Sequence, residues 1–486
     1  MTSLFTIPDP QIFGIERDLR DALQTVKAIR NTYTPVNKFP PEVLSRVFDH
    51  RNCGQDLIAA THVCQYWRST LISTPSLWTS IHFRLTNDVD RTLTYLERSK
   101  AALIDIDISV SERFTGDLNA IQHFSPHISR TRSLTVTCHC DIKIISFLLL
   151  CKPVMPTERP SPSSEEVLVG SLDNFIGQQA PSLPSPTSVD ICPALESPFP
   201  LHSLNNLDLT LLWATGPLRI SRLFGLCSNC PQLQRFRLSI DCKILEDVTL
   251  GQIVSMDSLV ELEYSCETVA RFISFLNLPR LNRLRVTLRR GKVDKLAHLL
   301  PHSGRNFLSG ATSMSHLYDR SSQTVELSGK GVEASFKFFD GSSGPTYAEW
   351  LSDEAYIPFG QIEDLKLRGF HMSGDFPIHP FKNLKTFRVN PWDQLIAGKV
   401  LRLLRPLLGA GTPCPSLRDI DYTFLKFTYS LMKSFVNVAR ERERAGHKLM
   451  LVKVLSNAEF DPSLEEELRE HVGTLRVDIY GKRDYD

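Results

Sequence analysis

An apolar triplet of the form L-x-x-L-x-L, with conservative replacements, recurs between residues 204 and 422 and constrains the fold more than any other feature. Its copies are Leu204-Leu207-Leu209, Leu233-Phe236-Leu238, Leu259-Leu262-Tyr264, Leu281-Leu284-Val286, Ile362-Leu365-Leu367, Leu384-Phe387-Val389 and Leu417-Ile420-Tyr422. The first four are spaced 29, 26 and 22 residues apart, and the fifth and sixth 22. Such periods belong to one supersecondary unit repeated along the chain. Weaker copies are Trp78-Ile81-Phe83, Leu103-Ile106-Ile108, Leu449-Val452-Val454 and Val472-Leu475-Val477. Because 42% of residues are apolar, chance alone supplies roughly 36 bare triplets. A stricter string, Pro-x-Leu-x-x-apolar-x-apolar, is expected about once by chance. It occurs three times, from Pro231, Pro279 and Pro415. Proline there ends a preceding helix and starts an extended segment. Helical stretches fall between triplets, at 220–227 and 269–276. Strand then helix, repeated, predicts an α/β chain whose residues 84–486 form a right-handed solenoid with a parallel inner sheet.

In each such strand the second and third apolar residues face the core, and the residue before each points the other way. The outward pairs are Asn206 and Asp208, Arg235 and Arg237, Glu261 and Glu263, Arg283 and Arg285, Asp364 and Lys366, Thr386 and Arg388, and Asp419 and Asp421. Sign alternates over three consecutive repeats. Parallel strands lie about 4.8 Å apart, so Arg237 and Arg285 should flank Glu263 on one open face. Arg235, Arg237, Glu261, Glu263, Arg283, Arg285, Lys366 and Arg388 are therefore candidates for a surface that receives a protein target, as solenoids do on this face. The competing expectation is mutual neutralisation on a solvated face, stabilising by about 0–1 kcal/mol per pair.

The rhythm lapses between about 290 and 360. There Thr324–Leu327, Gly329-Lys330-Gly331 and Ala334–Phe338 predict a hairpin with a glycine-rich turn, read as an insertion on the solenoid. Residues 153–164 are rich in proline, serine and glutamate and predict an exposed loop.

The N-terminal part follows other periods. Ile12, Ile15, Leu19, Ala22, Val26, Ile29 and Tyr33 step by 3 and 4, a heptad seam over residues 10–34. It predicts a helix that forms a short coiled coil with a partner or a second copy, or one that packs on the next domain. From residue 36 to 83 the chain reads as a compact helical unit. Pro41 and Glu42 suit a helix first turn. Val43, Leu44, Val47 and Phe48 follow on one face. Asp56 is a candidate cap for a second helix carrying Leu57, Ala60, Cys64, Trp67 and Leu71. The unit holds more bulky apolar groups than it can bury alone, which calls for a partner surface.

Lysine and arginine total 55 against 54 acidic residues, a net charge of +1. This balance argues against a general nucleic-acid binder or a polybasic membrane-surface protein. The longest apolar run, near residues 144–151, is too short to span a bilayer, and no signal peptide is visible at the start. The eleven scattered cysteines and the lack of an Asn-x-Ser/Thr acceptor point to a reducing compartment, cytoplasmic or nuclear. No phosphate loop, dinucleotide fingerprint, His-Glu-x-x-His or nucleophile elbow occurs. Cys138-His139-Cys140 and Cys227-x-x-Cys230 lack the second knuckle that tetrahedral zinc needs, so buried structural cysteine is expected. No catalytic residue, cofactor or metal is predicted. The run from Arg440 to Arg444 alternates in sign and predicts a solvated helix face.

Residues 37–48 read Asn-Lys-Phe-Pro-Pro-Glu-Val-Leu-Ser-Arg-Val-Phe. Asp56-Leu57, Val63-Cys64-Gln65-Tyr66-Trp67-Arg68 and Pro75-Ser76-Leu77-Trp78 follow in order. Together they closely resemble an F-box, with Phe39 for the usual leucine and Gln65 for the usual basic residue. The whole layout is similar to fungal-type F-box proteins: a heptad helix, the F-box, then degenerate leucine-rich repeats. The resemblance implies docking on the adaptor subunit of a cullin–RING, SCF-type ubiquitin ligase, with the repeats recruiting a target and no catalysis in the chain itself. It carries adaptor-binding roles onto Phe39, Pro40, Glu42, Val43, Leu44, Val47, Leu57, Val63, Cys64, Trp67 and Leu71, some of which would be internal core. The alternative is a repeat scaffold whose F-box acts outside a ubiquitin ligase.

Overall fold

The structure is a computed structural model that describes residues 10–49, 54–84, 89–110, 124–138, 203–212, 218–241, 244–245, 253–267, 271–289, 296–319, 321–339, 357–369, 378–390, 394–406, 412–423, 428–456 and 461–479. Among these, the chain forms two compact units, residues 10–136 and residues 137–479. The predicted loop at 153–164 and the pair His139-Cys140 lie outside the described residues.

The first unit begins with helices α1 (Pro10–Thr32), α2 (Pro41–Asp49), α3 (Gly54–Thr61) and α4 (Gln65–Ser73). A 3-10 turn, Pro35–Lys38, precedes α2, and another, Pro75–Trp78, follows α4. Next come β1 (Ser80–Arg84), α5 (Val89–Arg98), β2 (Ile104–Val110) and β3 (Thr131–Cys138), the last two residues of which fall in the second unit. β1 and β2 pair in parallel, with Ile81 opposite Ile106 and Phe83 opposite Ile108, all four buried. Leu103, the first member of its weak triplet, is exposed.

Three expectations for the helices need correction. The stripe from Leu57 to Leu71 is not one helix. Cys64 is extended (φ −157°, ψ 169°) and its Sγ accepts the Trp67 N–H at 3.5 Å, which starts α4 afresh. Arg68 Nε donates to the Thr61 carbonyl at 2.8 Å, holding the end of α3 beside the start of α4. Asp56 lies inside α3 and is not its cap. Nor does α1 pack on its neighbours: Ile15, Leu19, Leu23, Val26, Ile29 and Tyr33 are 54–74% exposed.

The second unit carries a large, mostly parallel sheet in the order β4 (Asn206–Leu211), β6 (Arg235–Ile240), β9 (Glu261–Cys266), β11 (Arg283–Leu288), β14 (Val332–Phe339), β13 (Ser322–Gly329), β12 (Ala311–Asp319), β15 (Asp364–Arg368), β16 (Thr386–Asn390), β17 (Asp419–Thr423), β18 (Leu449–Ser456), β19 (Val472–Ile479). Two small pairs, β5 (Leu218–Arg219) with β7 (Ile244–Leu245) and β8 (Val254–Ser255) with β10 (Leu276–Asn277), form separate two-stranded sheets. The helices are α6 (Ile220–Ser228), α7 (Gly304–Leu308), α8 (Gln394–Leu403), α9 (Tyr429–Arg444) and α10 (Pro462–His471).

The triplets set the register. Leu207, Phe236, Leu262 and Leu284 lie opposite one another across β4, β6, β9 and β11. Leu365, Phe387, Ile420, Val452 and Leu475 do so across β15 to β19. All are buried, because alternation places every second residue on one side of a strand. On that side Phe272 meets Phe224 of α6, Phe236 of β6 and Tyr264 of β9, with ring centres 5.8–6.4 Å apart.

The predicted hairpin is β13–β14, turning at Lys330-Gly331. Gly331 has φ +71°, which favours glycine. A Cβ on Gly329 would lie 2.0 Å from the Gly310 carbonyl oxygen, so only glycine fits against β12. The departure from the repeat is absorbed within the sheet: β14 pairs with β11 and β12 with β15, both in parallel, and among the described strands β4 to β19 only the β12–β13–β14 meander is antiparallel.

The run 440–444 is only partly solvated: Arg444 is exposed, Arg440, Glu441 and Glu443 are part-buried, and Arg442 is not solvated at all. Arg442 of α9 is fully buried and donates to three backbone carbonyls, Leu404 (3.3 Å), Pro413 (2.8 Å) and Cys414 (2.9 Å). Burial lowers its pKa to about 10, which leaves it charged. Glu441 pairs with Arg405, Glu443 with Lys448 and His471, and Arg440 with Glu467. A sign pattern alone cannot tell water from well-placed carbonyls as the partner of a guanidinium. No helix among the described residues is long and apolar enough to cross a membrane.

Candidate protein-docking surfaces

Helical spacing divides the apolar residues of α2 between two faces. Leu44 and Phe48, four apart, face inward: Leu44 is 1% exposed and Phe48 meets Trp67 edge-on at 5.2 Å. Val43 and Val47, also four apart, are 43% and 48% exposed. Phe39 (45%) before α2 and Val63 (58%) between α3 and α4 are likewise open. Pro40 and Glu42 are exposed too. Leu57 and Leu71 are buried, with Ala60 beside them in the core. Of the proposed adaptor-binding residues, Leu44, Leu57 and Leu71 are therefore core. Phe39, Pro40, Glu42, Val43, Val47 and Val63 remain accessible, and Cys64 and Trp67 are half-buried.

Trp67 acts as a pin. Its Nε1 donates to Asn37 Oδ1 at 2.6 Å, and the neighbouring Tyr66 hydroxyl donates to the Phe39 carbonyl at 2.7 Å. Two bonds from α4 thus fix the segment 37–39 that presents Phe39 and Pro40. Asn37 and Tyr66 carry no role in the sequence pattern. The available signal is that an enclosed indole N–H needs a partner. Trp78 closes the segment from below. It is fully buried, its Nε1 donates to the Leu71 carbonyl at 2.8 Å, Tyr95 of α5 packs edge-on at 4.9 Å, and Arg98 lies over its ring at 4.4 Å. The helical segment therefore depends on α5 for part of its core.

Twelve of the seventeen exposed large apolar residues among the described residues lie between Phe13 and Ile72. In the second unit the strands β4 to β14 present a ladder of charges. The register places Arg237 and Arg285 on either side of Glu263, and Arg235 and Arg283 on either side of Glu261. Arg235 and Arg283 pair with Glu261 at 3.3 and 2.9 Å. Arg237 pairs with Glu263 (3.3 Å) and Asp208 (3.6 Å). Arg285 turns the other way, to Glu333 on β14 at 3.3 Å, which Arg283 also meets at 2.8 Å. These hydrogen bonds, that from Arg283 first, lower the Glu333 pKa. Glu333 is a member of this ladder that the triplet pattern missed, because β14 carries no L-x-x-L-x-L string. Arg388 pairs with Asp364 at 3.1 Å. Lys366 is half-buried on β15, between Ser315 and Arg388.

Cys227 and Cys230 are both buried, and burial raises both thiols, Cys230 to about 12. Neither is poised as a thiolate ligand or nucleophile.

A family model described as F-box-like matches residues 36–84. The chain therefore carries an F-box-like segment, and that segment is the one whose open and buried apolar residues are described above. No curated protein matches the chain.

Proposed function

We propose that this chain is a non-catalytic, substrate-recruiting subunit of a cullin–RING, SCF-type ubiquitin ligase acting in the cytoplasm or nucleus. F-box domains generally dock the small adaptor subunit of such ligases. The observation that carries the reading is the coincidence of the F-box-like match with an accessible apolar set, Phe39, Val43, Val47 and Val63, on a segment whose own core is already filled by Leu44, Leu57 and Leu71. Exposed apolar side chains concentrated on one small segment are the mark of a partner surface. We read the parallel strands of the second unit as degenerate leucine-rich repeats of the fungal-type layout, which recruit the target. The aligned triplets and the crossing helix α6 support this reading.

The test is affinity purification of the full chain with the proteasome blocked. Adaptor and cullin should co-purify together. Adaptor without cullin would leave a scaffold acting outside a ligase, and absence of the adaptor would remove the reading.

A further inference from the structure

α1 is 23 residues long, roughly 34 Å at 1.5 Å per residue, long enough to hold three heptads. Its seam assigns Leu19 and Val26 to position a and Ile15, Ala22 and Ile29 to position d, and continues to Tyr33 just past the end of the helix. Every one of the large members is more than half exposed. The flanking positions then discriminate between partners. Position e holds Glu16, Leu23 and Arg30, and position g holds Asp18, Thr25 and Thr32.

In a parallel pair each g residue faces the e residue five further on in the other helix. That would set Asp18 against Leu23 and Thr25 against Arg30, with no complementary contact. In an antiparallel pair e faces e and g faces g. With Leu19 layered on Ile29 and Ala22 on Val26 of the second copy, Glu16 falls opposite Arg30, and Arg30 opposite Glu16. Leu23 meets its own equivalent across the two-fold axis and widens the apolar seam. The g positions bring Thr25 to Thr25 and Asp18 to Thr32, so no like charges meet. Among the described residues Glu16 pairs with the exposed Arg20 of its own helix, at 3.2 Å; in the antiparallel pair Arg30 would approach it from the other helix.

We infer that α1 self-associates as an antiparallel two-stranded coiled coil, making the protein a two-fold dimer through its N-terminal helix. Charge complementarity of the helix with itself identifies a second copy of this chain as the occupant. The inference is independent of the adaptor reading, because it uses no residue of the F-box-like segment.

Sedimentation velocity of the full-length protein over a dilution series tests it. The mass should rise from 55.0 kDa to about twice that with concentration. Glu16→Arg places two Arg–Arg contacts in the antiparallel pair and should weaken association roughly tenfold, about 0.7 kcal/mol for each reversed pair. Adding Arg30→Glu to the same chain should restore it. The restoration distinguishes this arrangement from a parallel pair, in which residues 16 and 30 never meet. Leu19→Asp with Val26→Asp should give monomer. A wild-type chain that stays monomeric at all concentrations, a dimer indifferent to both charge changes, or a dimer that survives the double aspartate variant would overturn the inference.

Discussion

Leu44 and Val43 are adjacent in sequence, and the same truncation applied to each should act on different quantities. Leu44 is 1% exposed in the chain alone, so its side chain is already committed to the core. Leu44→Ala should cost about 2–5 kcal/mol of local stability through lost burial and a residual cavity. Val43 is 43% exposed, and Val43→Ala should cost under about 1 kcal/mol. The assay is hydrogen exchange of the α2 and α4 amides in the full chain, read beside adaptor binding. Leu44→Ala should lower protection of these amides sharply and weaken binding only through the unfolded fraction. Val43→Asp and Val47→Asp should leave protection near wild type and reduce adaptor capture directly, since each places a carboxylate into an apolar contact. Unchanged protection in Leu44→Ala together with lost binding would make Leu44 a contact residue and refute the division of α2 into two faces. Normal adaptor capture by both aspartate variants would place the docking surface elsewhere.

Two further perturbations probe the second unit. Arg442→Met removes the donor to three buried carbonyls and should destabilise by about 3–5 kcal/mol, read as a lowered thermal midpoint; a change within about 0.5 kcal/mol, the range of an ordinary surface substitution, would return the residue to the solvated face expected of its sequence. His316, buried beside Gln323 with its Nε2 2.9 Å from that side chain, has its pKa pushed down to about 4 by burial. Below about pH 6.5 the unfolded chain takes up a proton that the folded chain refuses. Stability should therefore be full above that pH and fall by up to about 3 kcal/mol as pH drops toward 4. His127, lowered first by burial and then by Arg130, adds in the same direction, whereas the depressed carboxylates Glu333, Glu441 and Glu443 act only at lower pH. His316→Gln should flatten the His316 share of that slope in denaturant titrations across the same window, and an unchanged slope would count against its burial.

The sheet was legible because its signal is local and repeated. Each triplet specifies which side of a strand is buried, and a slip of one residue would turn Phe236 or Leu262 to water. Seven strong copies therefore fix the register across strands far apart in sequence. Where the copies lapse, local pattern still predicted the β13–β14 hairpin through Gly329 and Gly331. It could not show that this meander completes the sheet between β11 and β15, because that pairing is non-local. The break at Cys64 was hidden for the opposite reason. Leu57, Ala60, Cys64, Trp67 and Leu71 keep a helical period through it, while the interruption rests on a thiol cap and on Arg68 reaching the Thr61 carbonyl.

The charged residues show where pattern stops informing. Arg237 and Arg442 both stand among alternating signs. Alternation on a strand means that Arg237 meets Glu263 across the ladder, and the pair forms at 3.3 Å. On α9 the alternation runs around the helix, so Arg442 points away from both neighbours, into a ring of carbonyls 28 to 38 residues distant. The same reasoning bears on target recruitment. Because Arg235, Arg237, Arg283 and Arg285 already have acidic partners across the ladder, a target that used this face would have to compete with Glu261, Glu263 and Glu333 for them. Each exposed pair is worth only about 0–1 kcal/mol, so the competition is winnable by a partner that brings several carboxylates at strand spacing and not by one that brings a single charge.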